Sequence, residues 1–275
     1  MPELPEVQSI VNQLIPRITG KRIRGISSGD SKFEDQIHGL DPEQNVIGKR
    51  ILSVSRRGKA VIMELTGAYH LLIQLGMTGG LQVTGESRPG RYTRYRFHLS
   101  GGVNLVFRDM RKFGSIRGYA VDRPEFLRTL GPEPLAADFT AEYLFRLKKN
   151  RRVSVKDLLM NQRVVAGIGN IYASEILHAA GIRPSRKTRT LTRPECVKVI
   201  RSARSILRRA VQCGGTTIRD YRGADDRRGE FKRELRVYGR EGQPCIRCGT
   251  PVRRIRQSNR STFFCPRCQR AGRGR

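Results

Sequence analysis

Four cysteines near the C-terminus stand in two pairs, CIRC and CPRC, with sixteen residues between them: Cys245, Cys248, Cys265 and Cys268. A two-residue gap lets both thiolates of a pair reach one tetrahedral ion, and the overall spacing is that of a zinc site. Disulfides are the competing use, but they belong to secreted chains, and the acidic opening MPELPE does not resemble a signal peptide. The expectation is one structural zinc ion per chain and no organic cofactor. Between the pairs, GTPVRRIRQSNRSTFF has strand-like residues on both sides of QSNRS, which predicts a hairpin with Arg260 at its turn. From Arg240 to the end there are ten arginines and one acid, Glu241, a composition suited to phosphate. Cys196 and Cys213 flank a helical stretch and read as packing residues.

A second chemistry lies at the other end, in MPELPEVQSIVNQLI. If Met1 is trimmed, Pro2 becomes the terminus and its ring nitrogen a free secondary amine, a potential nucleophile. Most of the stretch has a simpler explanation. Val7, Ile10, Val11, Leu14 and Ile15 form one face of an amphipathic helix. Pro5 suits the first helical position, where a fixed φ and a missing N–H cost nothing, and Glu6 suits the positive end of the dipole. Helix formation leaves Pro2 and Glu3 as a short ordered stub beside the helix start.

The partner is bounded by charge. With 54 Lys+Arg against 24 Asp+Glu in 275 residues, the formal charge is +30, a field that attracts polyanions at long range. Nucleic acid leads and an anionic membrane follows. No apolar run approaches the ~20 residues that span a bilayer, so the expectation is a soluble intracellular chain. Residues 21–121 read as short β-branched or aromatic runs between glycine turns, the pattern of an antiparallel sandwich or barrel. LGPEPLAADF (Leu130 to Phe139) has two prolines and no strand pattern and reads as a boundary. Beyond it the period turns helical: TRPECVKVIRSARSILRRAVQCGG opens on a capping box, Thr192 and Glu195, and stops at Gly214 and Gly215. There is no repeat at solenoid periods. In GIGNIYASEILHAAG, two glycines make a tight turn, Asn170 fits an N-cap and Gly181 a stop. Such a turn into a helix N-terminus is a phosphate seat, and an ordinary helical hairpin fits the spacing equally well.

MPELPEV, GIGNIYASE and the CxxC…CxxC hairpin with NRSTFFC, in that order, together resemble the formamidopyrimidine-DNA glycosylases, related to the endonuclease VIII type, from Met1 to about Arg270. The resemblance implies that Pro2 attacks the sugar C1′ of a damaged nucleotide, expels the base and forms a Schiff base, with Glu3 as the adjoining acid/base. A secondary amine suits this role because its imine is necessarily a cationic iminium, an electron sink for strand cleavage, and an α-amino group deprotonates at ~8 against ~10.4 for lysine. Lys59 in RRGKAV matches a strand lysine near the lesion that takes part in base release and β-elimination. Met77, Arg111 and Phe113 match the residues that fill the hole left by a flipped nucleotide. Asn170 and Arg260 match a phosphate clamp, with Arg260 also linked to δ-elimination. Arg152, Lys156, Tyr238 and Arg254 match further DNA-facing positions. Gln74 stands where many members have a histidine, and Tyr92 lies near another; both can still hydrogen-bond phosphate. Thr216 to Leu235 corresponds to a lesion-capping loop and is unusually charged here.

The expected fold is α+β: an N-terminal antiparallel β-sandwich with a leading helix (1–131), a linker (132–139), a helix-two-turn-helix domain (140–235) and a four-cysteine zinc-finger hairpin (236–275), with DNA across the groove between the halves. The expected activity is removal of oxidised purines from double-stranded DNA followed by β,δ-elimination at the abasic site, by a monomer in the cytoplasm at the nucleoid. The same chemistry on oxidised pyrimidines, or a non-catalytic zinc-finger binder of damaged DNA, are the alternatives.

Overall fold

A computed structural model of the chain describes residues 2–28, 41–85, 90–120, 125–147, 152–217, 223–225 and 228–270. Met1, whose removal the expected Pro2 nucleophile requires, parts of the expected capping loop (218–222 and 226–227) and the last five residues of the expected hairpin domain lie outside them. The described chain forms two compact units, Met1–Arg128 with Val211–Lys232, and Thr129–Ala210 with Arg233–Arg275.

In the first unit, helix α1 (Leu4–Ile18) leads into strand β1 (Ile23–Ser28), the short helix α2 (Pro42–Asn45) and strands β2 (Ile51–Arg57), β3 (Ala60–Leu65), β4 (Tyr69–Gln74), β5 (Gly80–Thr84), β6 (Thr93–Leu99), β7 (Asn104–Arg108) and β8 (Ser115–Tyr119). They pair as two four-stranded antiparallel sheets, β1-β6-β7-β5 and β2-β3-β4-β8. Val7, Ile10, Val11, Leu14 and Ile18 of α1 share one core with Ile51, Met63, Leu71 and Ile73 of one sheet and Leu81, Phe97, Leu105 and Phe107 of the other. Fully burying such a side chain stabilises by about 1.5–3 kcal/mol, so the apolar stripe seats the N-terminal helix. Glu3 is the N-cap, and Pro5 occupies the second helical position rather than the first.

Strand alternation missed β8, because SIRGY alternates too briefly between glycines. Its place matters. Connector β4–β5 and connector β7–β8 each cross from one sheet to the other, and because β4 pairs β8 while β5 pairs β7, the two crossings run side by side. Gly76 in the first has φ +63, and a Cβ there would lie 2.6 Å from the Gly114 nitrogen in the second. Backbones this close require glycine.

Helix α3 (Glu125–Thr129) closes the N-terminal stretch of the first unit, and the second unit holds helices α4 (Ala141–Leu147), α5 (Val155–Met160), α6 (Asn170–Ala180) and all but the last two residues of α7 (Arg193–Gln212), then the hairpin β9 (Arg253–Gln257) and β10 (Arg260–Phe264). The expected capping box forms at α7: Thr192 N–H donates to Glu195 Oε2 at 2.8 Å and Glu195 N–H to Thr192 Oγ1 at 3.4 Å. Two boundaries differ from the sequence expectation. The 132–139 stretch is packed within this unit, Phe139 being fully buried, Gly131 N–H donating to Gln162 O and Ala166 N–H to Pro132 O, both at 2.9 Å. Val211–Lys232, expected with the helices, packs instead with the first unit. Its anchor is Glu6, whose buried carboxylate accepts from Thr216 N–H at 2.7 Å.

Candidate functional site

Pro2 and Glu3 are both buried beside the N-terminus of α1. Glu6 organises this stub: Oε2 accepts from Glu3 N–H at 2.8 Å while Oε1 holds Thr216. One carboxylate thus joins the N-terminal residues to the base of the segment expected to cap a lesion. That base is itself a pinched pair, with Glu230 N–H donating to Cys213 O and Phe231 N–H to Gly215 O. Sequence reading gave Glu6 only a dipole role, since its second partner lies 210 residues away.

Lys59 is not a strand residue. Arg57 pairs with Ala60, so Gly58 and Lys59 form a two-residue hairpin turn, with Gly58 at φ +58. A positive φ at the first central position is what a glycine-led hairpin turn demands. Arg56 stiffens the turn, donating to Gly58 O at 2.7 Å and, through Nε, to Gln8 Oε1 of α1 at 3.0 Å. The half-buried lysine is therefore presented by a hairpin tied to helix α1, which the N-terminal stub precedes.

Met77, Arg111 and Phe113, the residues expected to fill the hole of a flipped nucleotide, converge on the paired crossings. Arg111 Nη1 lies 3.3 Å from Met77 Sδ, and its guanidinium sits 4.7 Å above the Phe113 ring. Met77 is 45% exposed and Phe113 61%, so neither is a core residue. Beneath them Asp109, 1% exposed, ties the two crossings together. Its Oδ1 accepts from Thr78 Oγ1 at 2.5 Å and from Arg111 N–H at 3.2 Å, and Oδ2 accepts from Gly114 N–H at 2.6 Å. Thr78 Oγ1 in turn accepts from Arg111 N–H at 3.0 Å. Sequence reading passed over Asp109 although it sits inside RDMRKFG; a lone acid in a basic turn was the available signal. Gln74 ends β4 and accepts from Ser115 Oγ at 3.4 Å, while exposed Tyr92, at φ +64, lies under the Arg91 guanidinium at 4.7 Å.

In the second unit the GIGN turn is built on Gln162, which accepts from Gly167 N–H and donates to Ile168 O, both at 2.8 Å. Gly169, not Asn170, is the N-cap of α6, and Gly181 ends the helix at φ +72. Asn170 is freed from capping and reaches the hairpin, donating to Ser261 O at 3.0 Å. Lys156 meets the same strand. It is 1% exposed, with Nζ donating to Thr262 Oγ1 at 2.6 Å and to Ser261 O at 3.4 Å. The expected DNA-facing lysine is thus a buried brace for β10, because a buried ammonium needs acceptors and the hairpin supplies them.

Arg260 follows the turn instead of occupying it: Ser258 and Asn259, at φ +45 and +60, are the two turn residues, and exposed Arg260 opens β10 opposite Gln257. Arg152 is exposed, Arg254 pairs with Glu241 at 2.9 Å, and half-buried Tyr238 packs edge-on against Phe263 with ring centroids 5.0 Å apart. Glu175, in the middle of α6, accepts from the backbone N–H groups of Arg236, Val237 and Tyr238 at 2.9, 2.9 and 2.8 Å. Burial pushes its carboxyl above the ordinary range, against those three donors.

The four hairpin cysteines bring their sulfurs within 4.8 Å of one another. Burial and the neighbouring sulfurs push the Cys268 thiol up to about 12, whereas Thr250 draws Cys248 down to about 6. Four thiolates ionise together at such range only around a cation, and an all-sulfur set at this spacing fits zinc.

The N-terminal domain of formamidopyrimidine-DNA glycosylase matches residues 1–116, its H2TH domain residues 130–222, and a zinc finger found in FPG and IleRS residues 242–271. The formamidopyrimidine-DNA glycosylase of Thioalkalivibrio sulfidiphilus is 43% identical over 275 residues, covering 98% of this chain and 100% of that protein. That of Acidithiobacillus ferrooxidans is 39% identical over 272 residues, with 98% and 100% coverage. The crystal structure of the MutM (FPG) protein from Thermus thermophilus superposes with a TM-score of 0.89 at 39% identity, covering 98% of this chain and 100% of that one. A Lactococcus lactis Fpg complex with abasic-site DNA gives 0.88 at 32%, with 98% and 99% coverage. The hairpin is a zinc finger carrying one structural zinc. With three domain models matched in order and relatives aligned from end to end, the chain belongs to the formamidopyrimidine-DNA glycosylase family.

Proposed function

We propose that this DNA repair glycosylase removes oxidised purines, 8-oxoguanine and formamidopyrimidines, from duplex DNA and cleaves the abasic site that results. The observation that carries this reading is the Met77–Arg111–Phe113 group: two large apolar side chains held out into solvent around a guanidinium, in the unit that bears the N-terminal proline. A monomeric globular unit has no folding reason to brace such a group from beneath with a buried aspartate. A base stack with one nucleotide extruded supplies the reason.

With Met1 removed, the Pro2 nitrogen attacks C1′ as the bond from C1′ to the base breaks and the base leaves with a proton. Glu3 protonates the ring oxygen as the sugar opens, giving a cationic iminium between Pro2 and C1′. Loss of a C2′ proton then expels the 3′ phosphate, and a second elimination expels the 5′ phosphate, leaving a one-nucleotide gap. Lys59 assists base release and the first elimination, and Arg260 the second. Arg152, Asn170, Arg254 and Arg260 contact phosphate, and Tyr238 lies beside them. Lys156 serves these contacts through Thr262 and Ser261. Zinc fixes the hairpin that presents Arg260, with Cys245, Cys248, Cys265 and Cys268 as its ligands. The enzyme works as a monomer in the cytoplasm, at the nucleoid.

The test is reductive trapping. Borohydride with a duplex carrying 8-oxoguanine opposite cytosine is expected to give a covalent complex mapping to the N-terminal peptide, lost or sharply reduced in Pro2→Gly. Attachment at Lys59 instead, or no trapping on any oxidised-base or abasic duplex, would sink the assignment. A Lactococcus lactis Fpg complex with oxidised-pyrimidine DNA favours adding oxidised pyrimidines to the duplex panel.

A further inference from the structure

Helix α6 meets the C-terminal segment at three heights. Asn170 reaches Ser261 in its first turn, Glu175 holds the backbone of residues 236–238 in its middle, and in its last turn His178 reaches the zinc finger. His178 is fully buried, with Nε2 3.5 Å from the Sγ of Cys245, itself 2% exposed. Its backbone carbonyl accepts from Arg247 Nη1 at 3.3 Å, within the CIRC pair. The residue is thus held against the cysteine knuckle through two independent atoms.

The hydrogen between ring and sulfur has one possible owner once the metal is bound. A metal-bound thiolate carries no proton, so the ring must donate. The other ring nitrogen agrees: Nδ1 is buried and has no partner among the described residues. A proton there would be an orphaned buried donor, whereas a bare lone pair is the less costly vacancy.

We propose that His178 is a positioning residue of the zinc site, its neutral ring donating Nε2–H to the metal-bound Cys245 thiolate. The hydrogen bond aims the thiolate, draws electron density from its sulfur and couples α6 to the metal. Outer partners of this kind typically change metal affinity by about 10–100-fold. The inference is independent of whether Pro2 is the nucleophile, since every reading of the chain contains the zinc finger.

The full chain tests it without an activity assay. His178→Phe keeps a planar ring and removes the donor, and His178→Gln restores an N–H near the Nε2 position. His178→Phe is expected to release zinc to a chromophoric chelator at least about 10-fold faster than wild type. In the cobalt-substituted protein its sulfur-to-metal charge-transfer band moves to longer wavelength, and His178→Gln returns both readouts toward wild type. Equal release rates and an unmoved band in folded His178→Phe overturn the proposal, as does His178→Gln behaving like His178→Phe. If His178→Phe does not fold, nitrogen-15 NMR of the histidine-labelled wild-type zinc protein decides: protonated Nε2 with bare Nδ1 supports it, and the reverse tautomer ends it.

Discussion

Replacing Asp109 by alanine removes the brace under the proposed wedge. Three accepted hydrogen bonds disappear: from Thr78 Oγ1 at 2.5 Å, from Gly114 N–H at 2.6 Å and from Arg111 N–H at 3.2 Å. Gly114 is buried between Phe107 and the Gln74 carbonyl, so its N–H finds no replacement, a cost of about 1–3 kcal/mol. Thr78 and Arg111 border solvent, and losing their bonds to water costs about 0.5–1 kcal/mol each. The expected total is about 3 kcal/mol, read as a lower urea midpoint with unchanged slope. Part of it falls on catalysis, since the loss is felt by two connectors whose alignment defines the wedge. Re-ordering them on DNA would cost up to the same ~3 kcal/mol, a loss of about 100-fold in single-turnover excision from an 8-oxoguanine:cytosine duplex. A preformed abasic site, where no base is extruded, should lose far less. Asp109→Asn keeps one acceptor oxygen and should fall between. Met77→Ala and Phe113→Ala should share the substrate pattern without the stability loss of Asp109→Ala. If Asp109→Ala changes stability by less than about 0.5 kcal/mol, or slows both substrates equally, the brace argument is wrong.

Two further outcomes follow from the carboxylates. Glu6→Ala leaves the buried N–H groups of Glu3 and Thr216 without their acceptor, so it should lower stability by about 2–4 kcal/mol and slow Schiff-base trapping, with Glu6→Gln milder on both; wild-type trapping rates in Glu6→Ala would separate this residue from the N-terminal stub. At Glu195, burial alone would raise the carboxyl, but the Arg186 guanidinium and the Thr192 cap hold it below the ordinary range. A depressed carboxyl contributes stability that is whole above its unfolded value of about 4.3 and lost as pH falls through the folded value. The stability difference between wild type and Glu195→Gln should therefore be constant near neutrality and shrink in acid; a pH-independent difference would show that the pair does not titrate with folding.

Local chemistry was legible in the residues themselves. The spacing of Val7, Ile10, Val11 and Leu14 marked α1, Thr192 and Glu195 marked the start of α7, Gly181 marked the end of α6, and CxxC…CxxC marked the metal, because each depends on partners within a turn or a short hairpin. Sequence order also carried the resemblance that identifies the family. The relations that make the site work are long-range. Met77 and Arg111 lie 34 residues apart and meet only because two inter-sheet crossings run side by side. Glu6 finds Thr216 across 210 residues, Lys156 finds Thr262 across 106, and His178 finds Cys245 across 67. No periodicity encodes such pairs. They follow from strand order and helix packing, which set which buried polar atoms face one another, and a buried polar atom must be satisfied by whatever the fold brings to it. That is why Lys156, matched to a DNA-facing position, became a brace, and why Asp109, which no motif singled out, came to tie the two crossings together.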